Sequence, residues 1–281
     1  MKTYQLAIAH RVCPKLAGNA VAYTDKYEMV RATAASLFSA IAGLRVKLFV
    51  LLDGCDDRYR TLFSSSDPLI DVEIIETPAI GNGATFGKQI ELLDAAKECS
   101  DFLYFSEDDY LYAPSAFRDM MKMLELPEVD FVTPLDHPDR YCDKLFETRT
   151  VPLIVAAGRH WRSCSTTCLT FMSRSAGFSR YASAFRTYAN GNLDCTMWLA
   201  VTQDGLFSFP RLVLNLLRFL TKRGDFNHVL QLAAWKWSWR YILTHRAARL
   251  WSPLPSLGFH LCAASLAPGQ TPDDYLRAFK R

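Results

Sequence analysis

The sequence predicts an α/β fold in which a mainly parallel sheet is flanked by helices and followed by a helical C-terminal region. The first observation is an apolar run at residues 4–9, typical of a strand buried on both faces. The second is that further strand-like runs follow at 46–52, 71–76 and 102–105. The third is that segments of helical periodicity separate them. Strands and helices that alternate in this way favour parallel pairing.

The first two predicted helices each have a recognisable start. Asp25 followed three residues later by Glu28 resembles a capping box, and Gly43 suits the end of that helix. The second helix follows the glycine-rich turn at 81–83 and covers residues 86–97. Both helices are long enough to connect neighbouring parallel strands.

The second half of the chain is less regular. We predict a strand over 165–171, a helix over 191–200 and a long helical region over 210–251. Pro253 and Pro255 are expected to end that region, because proline cannot continue a helix. A short segment at the C-terminal side, Gly258-Phe259-His260, follows these prolines.

Composition indicates a globular protein with a substantial core, since half of the 281 residues are hydrophobic. The net charge of +3 is too small to predict nucleic acid as a partner. Eight cysteines without a Cys-x-x-Cys pair indicate reduced thiols and a cytoplasmic location. No pair of histidines accompanies Cys164 and Cys168, so we do not expect zinc there.

The N-terminus lacks the features of a signal peptide. The sequence also contains no apolar run of the ~20 residues that a bilayer-spanning helix requires. We therefore expect a soluble or peripheral protein.

Three consecutive acids, Glu107-Asp108-Asp109, directly follow the predicted strand at 102–105. Carboxylates held close together repel one another unless a cation or hydrogen bonds offset their charge. Alternation along extended backbone places Glu107 and Asp109 on one face and Asp108 on the other. Oxygen ligands with open positions suit Mg²⁺ or Mn²⁺, which also bind phosphates. The alternative is a solvated acidic turn that caps the next helix, in which Pro114 fits an early position.

Several motifs of the first ~135 residues together resemble the nucleotide-binding half of GT-A-fold glycosyltransferases, particularly the inverting family 2 type. These motifs are His10-Arg11-Val12, Val50-Leu51-Leu52-Asp53-Gly54, Gly81-Asn82-Gly83-Ala84-Thr85-Phe86-Gly87-Lys88 and the acidic triplet, which stands where that family has its DxD motif. The resemblance implies that Asp53 contacts the base or ribose and that Asp109 is the main metal ligand. It also implies that Glu107 or Asp108 helps to hold the ribose or metal. Glu107 departs from the usual aspartate at the first position.

Four further residues are candidates for the same site. The resemblance implies that a late histidine, His260, returns to the metal, and Gly258 permits close approach of the backbone. The alternative for His260 is a hydrogen-bonded histidine in or near the core. Arg11 and Lys88 suit contact with the diphosphate, although Lys88 also fits a solvated helix position. His10 suits either a nucleotide contact or plain packing.

Asp194 is the candidate general base. An inverting transfer needs a carboxylate beside the acceptor hydroxyl, and Asp194 resembles the acid that family 2 enzymes carry in this region. The alternative is that Asp194 caps a helix. Asp136 and Asp143 are weaker candidates, while Trp161 and Tyr141 are candidates for stacking on a sugar.

Residues 210–251 combine basic side chains with four tryptophans. This composition suits the interface of an anionic membrane. The alternatives are two ordinary amphipathic helices with basic outer faces, or RNA binding.

The sequence therefore predicts a metal-dependent transferase that uses Mn²⁺ or Mg²⁺. It moves a sugar from a nucleotide-diphosphate donor to a glycan or lipid-linked hydroxyl. The resemblance to family 2 enzymes implies inversion and suits a role in bacterial surface polysaccharide synthesis. We expect a cytoplasmic protein that can attach peripherally to the cytoplasmic face of the inner membrane. The predicted parts are a nucleotide-sugar-binding half at 1–135, an acceptor-binding and catalytic half at 136–209, the basic helical segment at 210–251 and a tail at 252–281 that returns to the site.

Three alternatives differ from this prediction. A retaining transferase on the same fold does not need Asp194 as a base. A non-catalytic, membrane-attached module binds sugar or nucleotide without turnover. A sugar nucleotidyltransferase is disfavoured, because residues 10–18 lack the glycine-rich, basic signature expected after its first strand.

Overall fold

The computed structural model describes residues 2–18, 20–142, 151–221 and 229–262, together with residues 269, 271 and 273. The described residues form one large mixed sheet of nine strands and a small sheet of two. The prediction of an α/β protein with helices flanking a mostly parallel sheet is confirmed at this level.

The first half of the chain forms the parallel part of the large sheet. Its strands lie in the order β3-β2-β1-β4, and each neighbouring pair is parallel. Their bounds are β1 (Tyr4–Val12), β2 (Val46–Asp53), β3 (Ile70–Thr77) and β4 (Ser100–Glu107). All four predicted strands are present. Strand β1 runs further than predicted, through His10 and Arg11, because both residues pair with β2 and β4.

Helices connect these strands and cover the sheet. The connections are α1 (Lys26–Ile41), α2 (Asp57–Arg60) and α3 (Asn82–Ala96). The predicted cap of α1 is confirmed, because the side chain of Asp25 accepts a hydrogen bond from the Glu28 amide at 2.9 Å. Helix α3 begins immediately after Gly81, whose φ of +86° favours glycine.

The second half extends the sheet with strands of both directions. Beyond β4 the order is β9, β6, β10, β8 and β7. Their bounds are β6 (Phe131–Val132), β7 (Leu153–Ala156), β8 (Arg159–Cys164), β9 (Phe171–Arg174) and β10 (Leu250–Leu254). Strand β9 is antiparallel to both β4 and β6.

Two sequence predictions for this half are wrong. Only Phe171 of the strand predicted at 165–171 is in a strand, since residues 165–170 form a polar loop. The helical region predicted at 210–251 ends at Thr244, and Trp251 lies in β10, where it pairs with Val132 and Ser163.

A small antiparallel sheet brings the C-terminal side of the chain back to the acidic triplet. It pairs β5 (Tyr110–Tyr112) with β11 (Gly258–His260). A Cβ at Gly258 would lie 2.8 Å from the Pro134 Cβ, so the strand depends on glycine for this close approach. In this register His260 is opposite Tyr110, one residue after the triplet.

The remaining helices are α4 (Ala116–Leu124), α5 (Asp139–Cys142), α6 (Ala182–Ala189), α7 (Asp194–Thr202), α8 (Phe209–Thr221) and α9 (Leu230–Thr244). Apolar side chains fill both faces of the large sheet. Trp161 is completely buried and donates its indole N–H to Ala156, so the prediction that it stacks on a sugar is wrong. Among the described residues, no helix has the length and apolar character needed to cross a membrane.

Candidate functional site

The order of the parallel strands defines where a ligand would bind. The chain adds β2 and β3 on one side of β1 and then places β4 on the other side. In sheets of this type, a crevice opens at the carboxyl ends of the strands where the order reverses. Here a cleft of about 870 Å³ lies at that point. Its lining includes Arg11, Lys26, Asp53, the three acids of the triplet and His260.

Glu107 is the last residue of β4 and is held by two polar partners. Its Oε1 accepts a hydrogen bond from the Arg11 guanidinium at 2.6 Å, and Oε2 accepts one from the Thr170 hydroxyl at 3.0 Å. Arg11 also donates to the backbone carbonyl of Asn82 at 3.0 Å. Arg11 therefore connects the end of β4 to the start of α3.

Asp108 points toward helix α1. Its Oδ1 accepts a hydrogen bond from the Lys26 ammonium at 2.7 Å, and its Oδ2 accepts one from the Cys13 amide at 2.9 Å. Both side chains of this ion pair are buried. Burial raises the pKa of Asp108, and the positive charge of Lys26 opposes that rise. Asp108 therefore fastens the cleft wall to α1.

Asp109 pairs with His260. The Nε2 of His260 lies 3.0 Å from the Asp109 Oδ2, and the imidazole stacks on the Tyr110 ring with centroids 4.7 Å apart. Burial alone would lower the pKa of His260, but the Asp109 carboxylate raises it well above its ordinary value. Burial likewise would raise the pKa of Asp109, and the charge of His260 lowers it. The contact therefore favours the charged forms of both groups, an imidazolium paired with a carboxylate.

The three acids therefore have three different cationic partners, which are Arg11, Lys26 and His260. Simple strand alternation does not describe them, because β4 ends at Glu107 and a turn follows. One acceptor is left over. Asp109 Oδ1 is buried and has no hydrogen-bond partner within the described part of the chain.

Asp53, at the end of β2, organises the loop that leads into α3. Its Oδ1 accepts hydrogen bonds from the Thr77 hydroxyl at 2.8 Å and the Ile80 amide at 2.7 Å. Its Oδ2 accepts one from the Gly81 amide at 2.8 Å. Because Asp53 also lines the cleft, it fixes the cleft wall beside the start of α3.

Two of the predicted nucleotide-binding residues lie away from the cleft lining. His10 is buried beneath it, with Nδ1 2.8 Å from the Ser106 hydroxyl. Burial lowers the pKa of His10 to about 3, which keeps the imidazole neutral. Lys88 is exposed on α3 and pairs with Glu91 at 3.0 Å. These positions match the packing alternative for His10 and the solvated alternative for Lys88.

Asp194 is the first residue of α7 and is not its cap. Leu193 occupies the cap position, and Asp194 Oδ1 accepts a hydrogen bond from the Cys195 amide at 2.6 Å. Burial raises the pKa of Asp194, and the negative charge of Glu107 adds to the rise. The pKa of Tyr188 is raised mainly by burial, and the negative charges of Glu107 and Asp194 raise it further. Asp194 is not among the residues that line the cleft, and its link to the triplet is the effect of the Glu107 charge on its pKa.

The weaker acidic candidates do not join this group. Asp136 is buried between Arg140 and Arg162, at 3.4 Å from each, and accepts a hydrogen bond from the Tyr141 hydroxyl at 2.5 Å. Tyr141 packs under the Arg162 guanidinium, 4.3 Å from ring centroid to Cζ. Asp143 lies outside the described residues.

Sequence reasoning missed Lys26 and Thr170. Lys26 had a signal, because it occupies the first position of α1, where the helix dipole disfavours a positive charge. A lysine there indicates a compensating acid elsewhere in the fold. Thr170 had none, since its contact with Glu107 depends on the packing of β9 against β4.

The spacing of the donor atoms of Asp109 and His260 can be compared with the spacing of two ligands on a divalent cation. Cis ligands of an octahedral ion at about 2.1 Å lie about 3.0 Å apart, which is the spacing of the two donor atoms. Within the described residues, no group of three or more His, Cys, Asp or Glu side chains is placed to hold a metal. Mg²⁺ and Mn²⁺ often use one or two protein ligands together with substrate phosphates and water. Once the Nε2 proton of His260 is displaced, the imidazole and the carboxylate would suit two positions on such an ion, and the imidazole would favour the softer Mn²⁺.

In comparisons with known proteins, no family model and no curated protein matched the chain. The class that the fold defines is an α/β protein with a large, mostly parallel central sheet, compatible with a Rossmann-like arrangement.

Proposed function

We propose that the protein is a metal-dependent glycosyltransferase of the GT-A type. It transfers a sugar, with inversion, from a nucleoside-diphosphate donor to a hydroxyl of a glycan or lipid-linked acceptor. The observation that carries this proposal is the unpartnered Oδ1 of Asp109 beside His260, in a cleft at the switch point of the parallel strands. A buried carboxylate oxygen without a donor is costly unless a ligand satisfies it.

The rest of the cleft suits a nucleoside diphosphate. Arg11 lines it and places a guanidinium beside the start of α3. Gly81, whose amide donates to Asp53, and Asn82, the first residue of α3, also line the cleft, and helix N-termini favour phosphate groups. Asp109 and His260 would hold Mn²⁺ or Mg²⁺. When bound, the cation would neutralise the charge that builds on the departing diphosphate.

Asp194 is proposed to accept the proton of the acceptor hydroxyl as its oxygen attacks the anomeric carbon. The bond from that carbon to the diphosphate breaks in the same step, so the sugar inverts. The raised pKa of Asp194 makes its carboxylate a stronger base than an exposed aspartate. A retaining transferase on the same fold remains the alternative in which Asp194 has no such role.

A second candidate function is a non-catalytic binding module. It is favoured by the three internal cations, because Arg11, Lys26 and His260 already compensate the charge of the triplet. A site that needs no metal for charge balance can hold a nucleotide without turnover.

A cytoplasmic location is part of the proposal. Among the described residues, Cys13, Cys55, Cys99, Cys164, Cys168 and Cys195 do not form disulfides, as expected in a reducing compartment.

Donor hydrolysis separates the two candidates. The purified protein is assayed with a panel of nucleotide sugars and Mn²⁺, after a thermal-shift screen has identified the stabilising donor. We expect metal-dependent release of nucleoside diphosphate that falls at least 100-fold in Asp109→Asn. Asp101→Asn, an exposed acid at the start of β4, is the matched control. Donor binding without any metal-dependent turnover would favour the binding module.

A further inference from the structure

Helix α8 exposes its apolar side chains to solvent. Of its side chains that the structure describes, Leu212 is half-buried and the others are exposed. Phe209 is 74% exposed and Leu220 is 67% exposed. The other exposed apolar residues of the helix are Val213, Leu214, Leu216 and Leu217. Helices of globular proteins normally bury such a stripe, and a contiguous exposed one marks an interaction surface.

Helix α9, whose Trp235 ring packs against Phe207 just before α8, also carries exposed aromatic side chains. Trp237 and Trp239 are both exposed. The Lys236 ammonium lies 5.7 Å from the centroid of the Trp237 ring. The Arg240 guanidinium lies 5.2 Å from the centroid of the Trp239 ring. Tryptophans beside cationic groups are typical of the boundary between lipid headgroups and acyl chains.

The net positive charge of residues 209–244 indicates what kind of partner this surface binds. Residues 209–244 contain six basic residues and one acid, Asp225. A second copy of the chain would bring the same positive charge to a shared interface and would be repelled. An RNA would leave the aliphatic stripe of α8 unburied. An anionic bilayer satisfies both features, because it accepts apolar side chains and attracts cations.

We propose that the exposed side of α8, together with Trp237 and Trp239 of α9, binds the interface of an anionic lipid bilayer. The helix lies in the plane of the membrane, with its apolar stripe below the headgroups. This binding does not rest on the proposed sugar transfer.

The surface adjoins the loop before the candidate base. A Cβ at Gly191 would lie 3.9 Å from the Trp237 ring, and Gly191 is three residues before Asp194. If the proposed transfer holds, a lipid-linked acceptor would therefore reach Asp194 from the membrane side.

Vesicle co-sedimentation of the full chain tests the surface. We expect binding to vesicles of phosphatidylglycerol and phosphatidylcholine, and much weaker binding to phosphatidylcholine alone. Leu217→Asp combined with Leu220→Asp should weaken binding more than tenfold, because two inserted leucines are lost. Replacing Lys236 and Arg240 by glutamine should weaken it roughly fivefold for each charge removed.

Leu153→Asp combined with Val155→Asp is the matched control, since both residues are exposed on β7, away from α8. This variant should bind as the wild type does. Equal binding by the α8 variant, or an equal loss in the β7 variant, would overturn the proposal. A wild-type dimer that ignores anionic vesicles would also overturn it and would assign the surface to a second copy. Donor hydrolysis measured without lipid reports separately on the proposed function.

Discussion

His260 donates a hydrogen bond to the carboxylate of Asp109 although 151 positions separate them in the sequence. The antiparallel pairing of β11 with β5 makes this contact, because it sets His260 opposite Tyr110. The C-terminal side of the chain therefore contributes to a cleft that is otherwise lined by charged residues from the first 110 positions. In the proposed metal site, this pair would also determine the affinity for the cation.

The first prediction concerns His260→Gln in metal-free protein. The pKa of His260 is raised by folding, so its contribution to stability is fully present below the ordinary histidine value of about 6.5. That contribution is lost as pH rises through the folded-state pKa. We expect the variant to be about 1–2 kcal/mol less stable than the wild type at pH 6. The difference should shrink at alkaline pH, as measured by urea denaturation with a chelator present.

His160→Gln provides the control for this experiment, because His160 is exposed on β8. Its stability should follow the wild type at every pH. A stability difference for His260→Gln that does not vary with pH would contradict the assignment of a charged imidazole.

The second prediction concerns Gly258→Ala. The new methyl group would lie 2.8 Å from the Pro134 Cβ and 3.4 Å from the Tyr110 ring, so β11 and Pro134 must move apart. His260 moves with β11. We expect at least tenfold weaker Mn²⁺ binding by calorimetry, with a destabilisation of about 1–3 kcal/mol.

Gly87→Ala in α3 is the comparison for Gly258→Ala. Its methyl group would meet Ala189 Cβ at 3.4 Å, an ordinary contact, and alanine favours a helix interior. Mn²⁺ affinity should be unchanged in this variant. Normal Mn²⁺ affinity in Gly258→Ala would show that the position of β11 does not control the site.

The parallel half of the fold was predictable because its signals are local. Apolar runs such as the one that forms β1 are buried on both faces, and the Asp25 cap of α1 requires only neighbouring residues. Arg11, Asp53 and the triplet line one cleft because parallel strands end at the same edge of a sheet.

The errors have long-range causes. Trp251 lies in a strand because β6 and β8, far away in sequence, provide its hydrogen-bond partners. The polar loop at 165–170 has no strand partner and instead supplies Thr170 to Glu107. The pairing of Lys26 with Asp108 spans 82 residues, which local patterns do not encode.

The third prediction concerns this buried pair. Lys26→Met removes the cation and leaves the Asp108 charge buried, which typically costs about 3–5 kcal/mol. Because the pKa of Asp108 is already raised by burial, its protonation should relieve much of that cost at acidic pH. Urea denaturation at pH 5 and pH 8 should show a larger loss at pH 8.

Adding Asp108→Asn to Lys26→Met should restore part of the lost stability at pH 8, since the unpaired Asp108 charge is then removed. Arg31→Met, on the exposed side of α1, should leave the unfolding midpoint unchanged because its ion pair with Glu28 is exposed. A double variant no more stable than Lys26→Met would contradict a purely electrostatic origin.

The last prediction concerns Asp194, and it decides between inversion with a protein base and the alternatives. The pKa of Asp194 is raised by burial and by the charge of Glu107, and only its ionised form can accept a proton. Turnover with a hydroxyl acceptor should therefore fall as pH drops through this raised pKa. Asp194→Asn should lose about 10²–10⁴-fold in kcat, with little change in KM for the donor. Donor hydrolysis by water should fall less, because water is a smaller acceptor that solvent can deprotonate.

Asp101→Asn should retain full turnover. If Asp194→Asn kept both its kcat and the acid limb of its pH profile, the base would have to be another group, and the product's anomeric configuration would then show whether the enzyme retains.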